Sequence, residues 1–140
     1  MAAIERFEDI GAWQDARLLV KGIYQVTNEG RFARDFGLRD QIRRAAISAM
    51  SNIADGFERG SDKDFVRFLY VAKASAGEVR SQLYVALDLG YMDKQQADQL
   101  AALVQAVSRR LSGFIRYLKS TDGEHGQDAG PSMKRADAPP

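Results

Sequence analysis

Apolar residues recur at three- and four-residue spacing along most of the chain as far as Leu118, and no stretch alternates strictly. That period belongs to α-helices that bury one face, and it predicts four of them. The first runs from about Ile10 to Glu29, with Trp13, Ala16, Val20, Ile23, Tyr24 and Thr27 inward, Asp9 as N-cap and Gly30 as stop. The second runs from about Gly37 to Phe57, after the connection RFARDF, and Gly56 and Gly60 flank its end. The third opens at Ser61, where Asp64 completes a pattern like a capping box, and reaches about Leu89. Its inward stripe is Phe65, Phe68, Leu69, Ala72, Ala76, Val79, Leu83, Ala86 and Leu87. The fourth starts at Asp93 with Gln96 as capping partner and ends near Ser120. It turns Ala97, Leu100, Val104, Val107, Leu111, Phe114 and Leu118 inward, and Arg116 and Lys119 suit its C-terminal turns. Helices of this length on short connections fold as an all-α, antiparallel, up-down-up-down four-helix bundle. The expected domain is residues 1–120. Beyond it, residues 121–140 are rich in Gly, Asp and Pro and read as a disordered tail.

Two helices carry more apolar surface than one bundle uses. In the segment QIRRAAISAMSNIADG, Ile42, Ala46, Ala49 and Ile53 form one stripe, and Ile47, Met50, Ala54 and Phe57 form a second roughly 100° further round. The second stripe is a candidate self-association surface. The third helix also has a second face, Val66, Tyr70, Lys73, Gly77, Arg80 and Tyr84. Gly77 costs about 1 kcal/mol in a helix interior, which points to close packing there, so it joins the candidate oligomer interface. Tyrosines among cations suit a nucleic-acid backbone with stacked bases and equally a protein interface. Residue type alone favours the interface.

Composition narrows the chemistry. Net charge is +1, while residues 1–120 hold 18 Lys/Arg against 15 Asp/Glu, a mild basic bias that symmetry would multiply in an oligomer. The candidate phosphate contacts are Arg39, Arg43, Lys73 and Arg80, with Tyr70 and Tyr84 to stack. Pairing with Asp40, Asp88 and other acids at subunit contacts is the alternative. Without cysteine there are no disulfides, thiol nucleophiles or Cys-ligated zinc. The charged N-terminus MAAIERFEDIG does not read as a signal peptide, and no apolar run approaches the ~18 residues of a membrane span, so a cytoplasmic protein without membrane contact is expected. The inward stripes contain no Asp, Glu or His, and no phosphate loop, Ser-His-Asp set or metal spacing occurs. No cofactor, metal or catalytic residue is expected. Trp13 on the inward stripe reads as core. The single histidine, His125, falls in the tail, which argues against a catalytic role. Asp55 and Glu78 are carboxylates on partly apolar helices, and pairing with arginines explains them better than acid–base work.

The segments FEDIGAWQDA, QIRRAAISAMSNIADG and FVRFLYVAKASAGEV resemble the four-helix-bundle proteins encoded in 23S rRNA intervening sequences, a family that includes accessory variability determinant proteins of diversity-generating retroelements. The likeness spans about Phe7 to Leu118. Its most specific piece is Asn52-Ile53-Ala54-Asp55-Gly56, where the family has Glu in place of Asp55; Arg44, Ser48, Asn52 and Glu78 also match family positions. The resemblance implies a homo-oligomer, a barrel-like pentamer in known members, and no catalytic activity. Its retroelement members imply nucleic acid and a nucleic-acid enzyme as partners, although they look more basic than this chain. The leading expectation is therefore a non-enzymatic oligomeric scaffold that binds RNA. The alternative is a purely structural or protein-interaction oligomer.

Overall fold

The structure, a computed structural model, describes residues 4–125. Four helices follow two short 3-10 turns: α1 Gly11–Thr27, α2 Phe36–Glu58, α3 Asp62–Asp88 and α4 Lys94–His125, with the turns at Phe7–Asp9 and Phe32–Arg34. Among the described residues there is no strand. Each helix packs mainly on its two neighbours in a closed ring, α1 on α2, α2 on α3, α3 on α4 and α4 on α1. Neighbours run antiparallel. Down the α2–α3 seam, Gln41 meets Gln82, Ser48 meets Ser75, and Gly56 meets Phe65. On the α1–α4 side Asp15 pairs with Arg110 at 2.8 Å, and Gly22 approaches Leu100.

The inward stripes explain the ring. Ile42, Ala46, Ala49 and Ile53 of α2 are fully buried, and every inward position expected for α4 is buried as well. Phe65 of α3 joins three helices, with ring centroids 6.0 Å from Phe57 of α2 and 5.2 Å from Phe114 of α4, both edge to face. Trp13 is buried against Phe7 at 5.2 Å, as a core residue. In α1 the stripe is turned slightly from the expected one. Leu19 is fully buried, whereas Tyr24 is exposed at its edge, where the Arg43 guanidinium covers its ring at 4.4 Å. In α3, Leu87 likewise lies outside the core.

The helix ends show which local signals acted. Ser61 accepts from the Asp64 N–H at 3.2 Å, and Asp93 and Gln96 exchange two bonds of 3.1 and 2.8 Å, a complete capping box. Asp9 does not cap α1. It accepts from the Glu5 N–H at 3.3 Å within the first 3-10 turn, and buried Ile10 opens the helix instead. Asp35 caps α2 by accepting from the Leu38 N–H at 3.1 Å. Gly56 is no stop signal, since α2 passes through it to Glu58. At its other end α4 extends to His125, past the expected helix end near Ser120. Arg116 and Lys119 are therefore interior to that helix. The rest of the expected tail, 126–140, lies outside the described residues.

One end of the bundle is tied across. Arg31, in the α1–α2 connection, donates through Nη2 to the carbonyls of Leu89 and Gly90 at 3.1 and 3.2 Å. Its guanidinium also lies 5.5 Å from the centre of the Tyr91 ring. The Tyr91 hydroxyl donates to Asp35 at 2.9 Å, so one carboxylate both caps α2 and holds the α3–α4 connection. Accepting that proton, together with desolvation and the nearby negative charge, Asp35 holds the phenol above its usual pKa, while Arg31 pulls the other way.

Candidate functional site

Three surfaces contain the residues singled out by the sequence. The first is the α2–α3 seam, built on the segment Asn52-Ile53-Ala54-Asp55-Gly56. Asn52 donates back to the Ser48 carbonyl at 2.8 Å and to the Ser48 hydroxyl at 3.0 Å, and that hydroxyl shares a 2.8 Å bond with Ser75 of α3. Ile53 is fully buried. At Gly56 the helices nearly touch: a Cβ there would sit 2.7 Å from Phe68 Cβ and 3.0 Å from Phe65 Cδ1. The segment is thus a helix-pairing device. Higher on the seam, the buried Gln82 amide donates to Gln41 at 3.3 Å, and its own oxygen meets no donor among the described residues. A shallow cleft of about 250 Å³ beside it is lined by Gln41, Arg44, Ala45, Ser48 and Glu78. Asp55 and Glu78 are both exposed, so the two do not form a buried carboxylate pair.

The second surface is the α1–α2 side, where Arg39 and Arg43 are already engaged. Arg39 pairs with Asp40 at 3.0 Å, donates to the Ala33 carbonyl at 3.0 Å and lies 4.7 Å from the Phe36 ring centre. Arg43 donates to Thr27 Oγ1 at 2.7 Å and covers Tyr24. Both join the first connection and α1 to α2. They lie across the ring from Arg80, which lines clefts against α4, so the four candidate cations do not form one patch.

The third surface is the α3–α4 flank. Here Tyr70, Lys73, Arg80 and Tyr84 lie on exposed turns of α3, with Tyr70 and Tyr84 47% and 60% exposed. Their register brings in cations from α4. The Lys119 ammonium donates to the Tyr70 hydroxyl at 3.3 Å, and Arg109 faces Arg80 across a cleft of about 360 Å³ that Val104, Gln105 and Ser108 complete. Among the described residues, none of Lys73, Arg80, Arg109 and Lys119 has a carboxylate within ion-pair distance. Arg80 and Gln105 also line an adjoining cleft of about 130 Å³, together with Leu83, Tyr84, Leu87, Ala97, Ala101 and Asp98. Lys119 and Arg109 carried no signal in sequence beyond their charge, because only the α3–α4 register brings them to the tyrosines.

The second stripe of α2 divides. Ile47 is 40% exposed, Met50 and Ala54 are half-buried against the core, and Phe57 is buried inside the bundle. Phe57 is withdrawn from the candidate interface because its ring packs on Phe65. Gly77 has no atom within 4 Å of its Cβ position, so the close packing suspected there is not made inside the chain. Among the described residues, no group of His, Cys, Asp and Glu could hold a metal ion, and no helix is long and apolar enough to cross a membrane.

The profile of the 23S rRNA-intervening sequence protein family matches residues 8–113. Curated proteins offer no significant match. Among solved structures, a protein of unknown function from the S23 ribosomal protein family of Bacteroides thetaiotaomicron VPI-5482 superposes with a TM-score of 0.69. It is 19% identical, and the alignment covers 75% of this chain and 95% of that one, a likeness of fold.

Proposed function

The chain belongs to the 23S rRNA-intervening sequence protein family, and from that premise we propose that it is a non-catalytic cytoplasmic scaffold that self-assembles and binds RNA through its α3–α4 flank. The observation that carries the reading is a set of cations, Lys73, Arg80, Arg109 and Lys119, that have no carboxylate within ion-pair distance among the described residues, beside two exposed tyrosines. Cations free of carboxylates attract phosphate, and every tyrosine ring offers a stacking face. Arg39 and Arg43 serve structure, since their guanidinium groups are held inside the chain.

The test is RNA affinity across a salt series. Each phosphate contact contributes a slope of about −0.9 on duplex and about −0.7 on single strands. Arg80→Ala is expected to lower the slope by roughly one contact, while Arg43→Ala leaves it unchanged. An absence of binding at low salt ends the RNA reading.

Self-assembly uses the outer stripe of α2, in a closed ring for which five copies is the expected number. Ile47, exposed beside half-buried Met50 and Ala54, supports it, because an apolar patch gains most when covered. Light scattering at roughly 50 μM, where an association of ~6 kcal/mol is substantially populated, is expected to show a multimer for the parent and smaller species for Ile47→Glu. A monomeric parent at that concentration removes this part. The same stripe favours the second reading, a protein-interaction oligomer that never meets RNA, and a multimer without RNA binding would select it.

A further inference from the structure

The smaller α3–α4 cleft has the volume to take one flat ring. Its volume is about 130 Å³, close to the ~150 Å³ apolar cavity that accepts benzene in an engineered protein. Leu83 and Ala97, nearly buried, form its floor, and the exposed Tyr84 ring stands at its wall. The rest of the lining adds polar groups from Arg80, Gln105 and the Asp98 carboxylate. Arg80 and Gln105 are shared with the next cleft, where Arg109 and Ser108 lie. The pair of clefts is therefore graded, from an apolar slot with a carboxylate to a cationic trough.

We propose that this pair of clefts takes one nucleotide of single-stranded RNA, the base in the slot against Tyr84 and its phosphate in the trough between Arg80 and Arg109. The inference rests on the RNA reading above and adds which form of RNA is bound. Asp98 repels phosphate, so the anionic end of the nucleotide turns toward the arginines. A base can enter only if it is free of its stack and its pairing partner, and that condition holds in single strands and loops and fails in a continuous duplex. The duplex form therefore keeps the phosphate contacts and loses the slot.

The experiment uses the full chain and a single-stranded RNA on the order of ten nucleotides, compared with the same strand annealed to its complement. The single strand is expected to bind more tightly. Tyr84→Ala should weaken single-strand binding by roughly 5- to 150-fold, the range for loss of one base–aromatic stack, with the salt slope unchanged, and Tyr84→Phe should retain binding. Ala101→Phe, which fills the slot and leaves Arg80 and Arg109 in place, should reproduce the loss. Tyr84 is 60% exposed, so its removal leaves the core intact, and thermal melting checks that. Equal affinity for single strand and duplex, or a Tyr84→Ala effect within about 2-fold, well below the loss of one stack, overturns the slot while leaving the RNA reading in place. No binding of either form at low salt overturns both.

Discussion

Phe65→Ala is expected to remove about 3–5 kcal/mol of stability, the range for deleting a fully buried aromatic ring. The ring is fully buried and touches the aromatic side chains of two other helices, at 6.0 Å to Phe57 and 5.2 Å to Phe114. Its loss leaves a cavity between α2, α3 and α4 that backbone movement can close only by shifting all three. In a domain of this size the melting temperature should fall by roughly 10–20 °C, measured by circular dichroism. Phe36→Ala is the contrast. That ring is 62% exposed and has Arg39 over its face, so about 1 kcal/mol or less is expected. Equal losses for the two would mean that the Phe65 cluster does not organise the core.

Gly56→Val is expected to cost about 2–3 kcal/mol through overpacking. A Cβ at this position would lie 2.7 Å from Phe68 Cβ and 3.4 Å from the Phe65 carbonyl, atoms that cannot swing aside without moving α3. Gly77→Ala should act in the opposite direction. Nothing lies within 4 Å of that Cβ position, so the exposed helix interior should gain about 1 kcal/mol in the monomer. If copies of the chain meet at Gly77, the same substitution weakens assembly while raising the monomer's melting point. Urea titrations of the two variants give the stability terms, and light scattering gives the third. A neutral Gly56→Val would show that α2 and α3 can separate without penalty.

Much of the fold was legible because helix periodicity and capping are local. The inward stripes of α2 and α4, the Ser61 cap and the Asp93–Gln96 box are each contained within a few residues. Failures occurred where the deciding contact is distant in sequence. Asp35 was hidden as a cap inside a connection with two phenylalanines, and its second partner is Tyr91. Gly56 resembles a helix stop until α3 is laid against it. Arg43 looks like any surface arginine until Thr27 and Tyr24 are beside it. Residue type on one helical face singles out Tyr70, Arg80 and Tyr84, but Lys119 and Arg109, which complete that flank, come from a different helix. Residue types and spacing identified half of the surface, and the α3–α4 register supplied the rest.

The tie among Arg31, Asp35 and Tyr91 makes the two ends of the bundle unlike. Two helical hairpins, α1–α2 and α3–α4, are clasped by polar groups at the end where their connections meet, whereas the opposite end is closed by the α2–α3 turn, the first 3-10 turn and the Phe57–Phe65–Phe114 cluster. The α3–α4 slot sits at the clasped end, since Leu87 and Ala97 on its walls flank the connection that Arg31 and Asp35 hold. Its shape is set when the chain folds, and a ring entering it loses little affinity to ordering its walls.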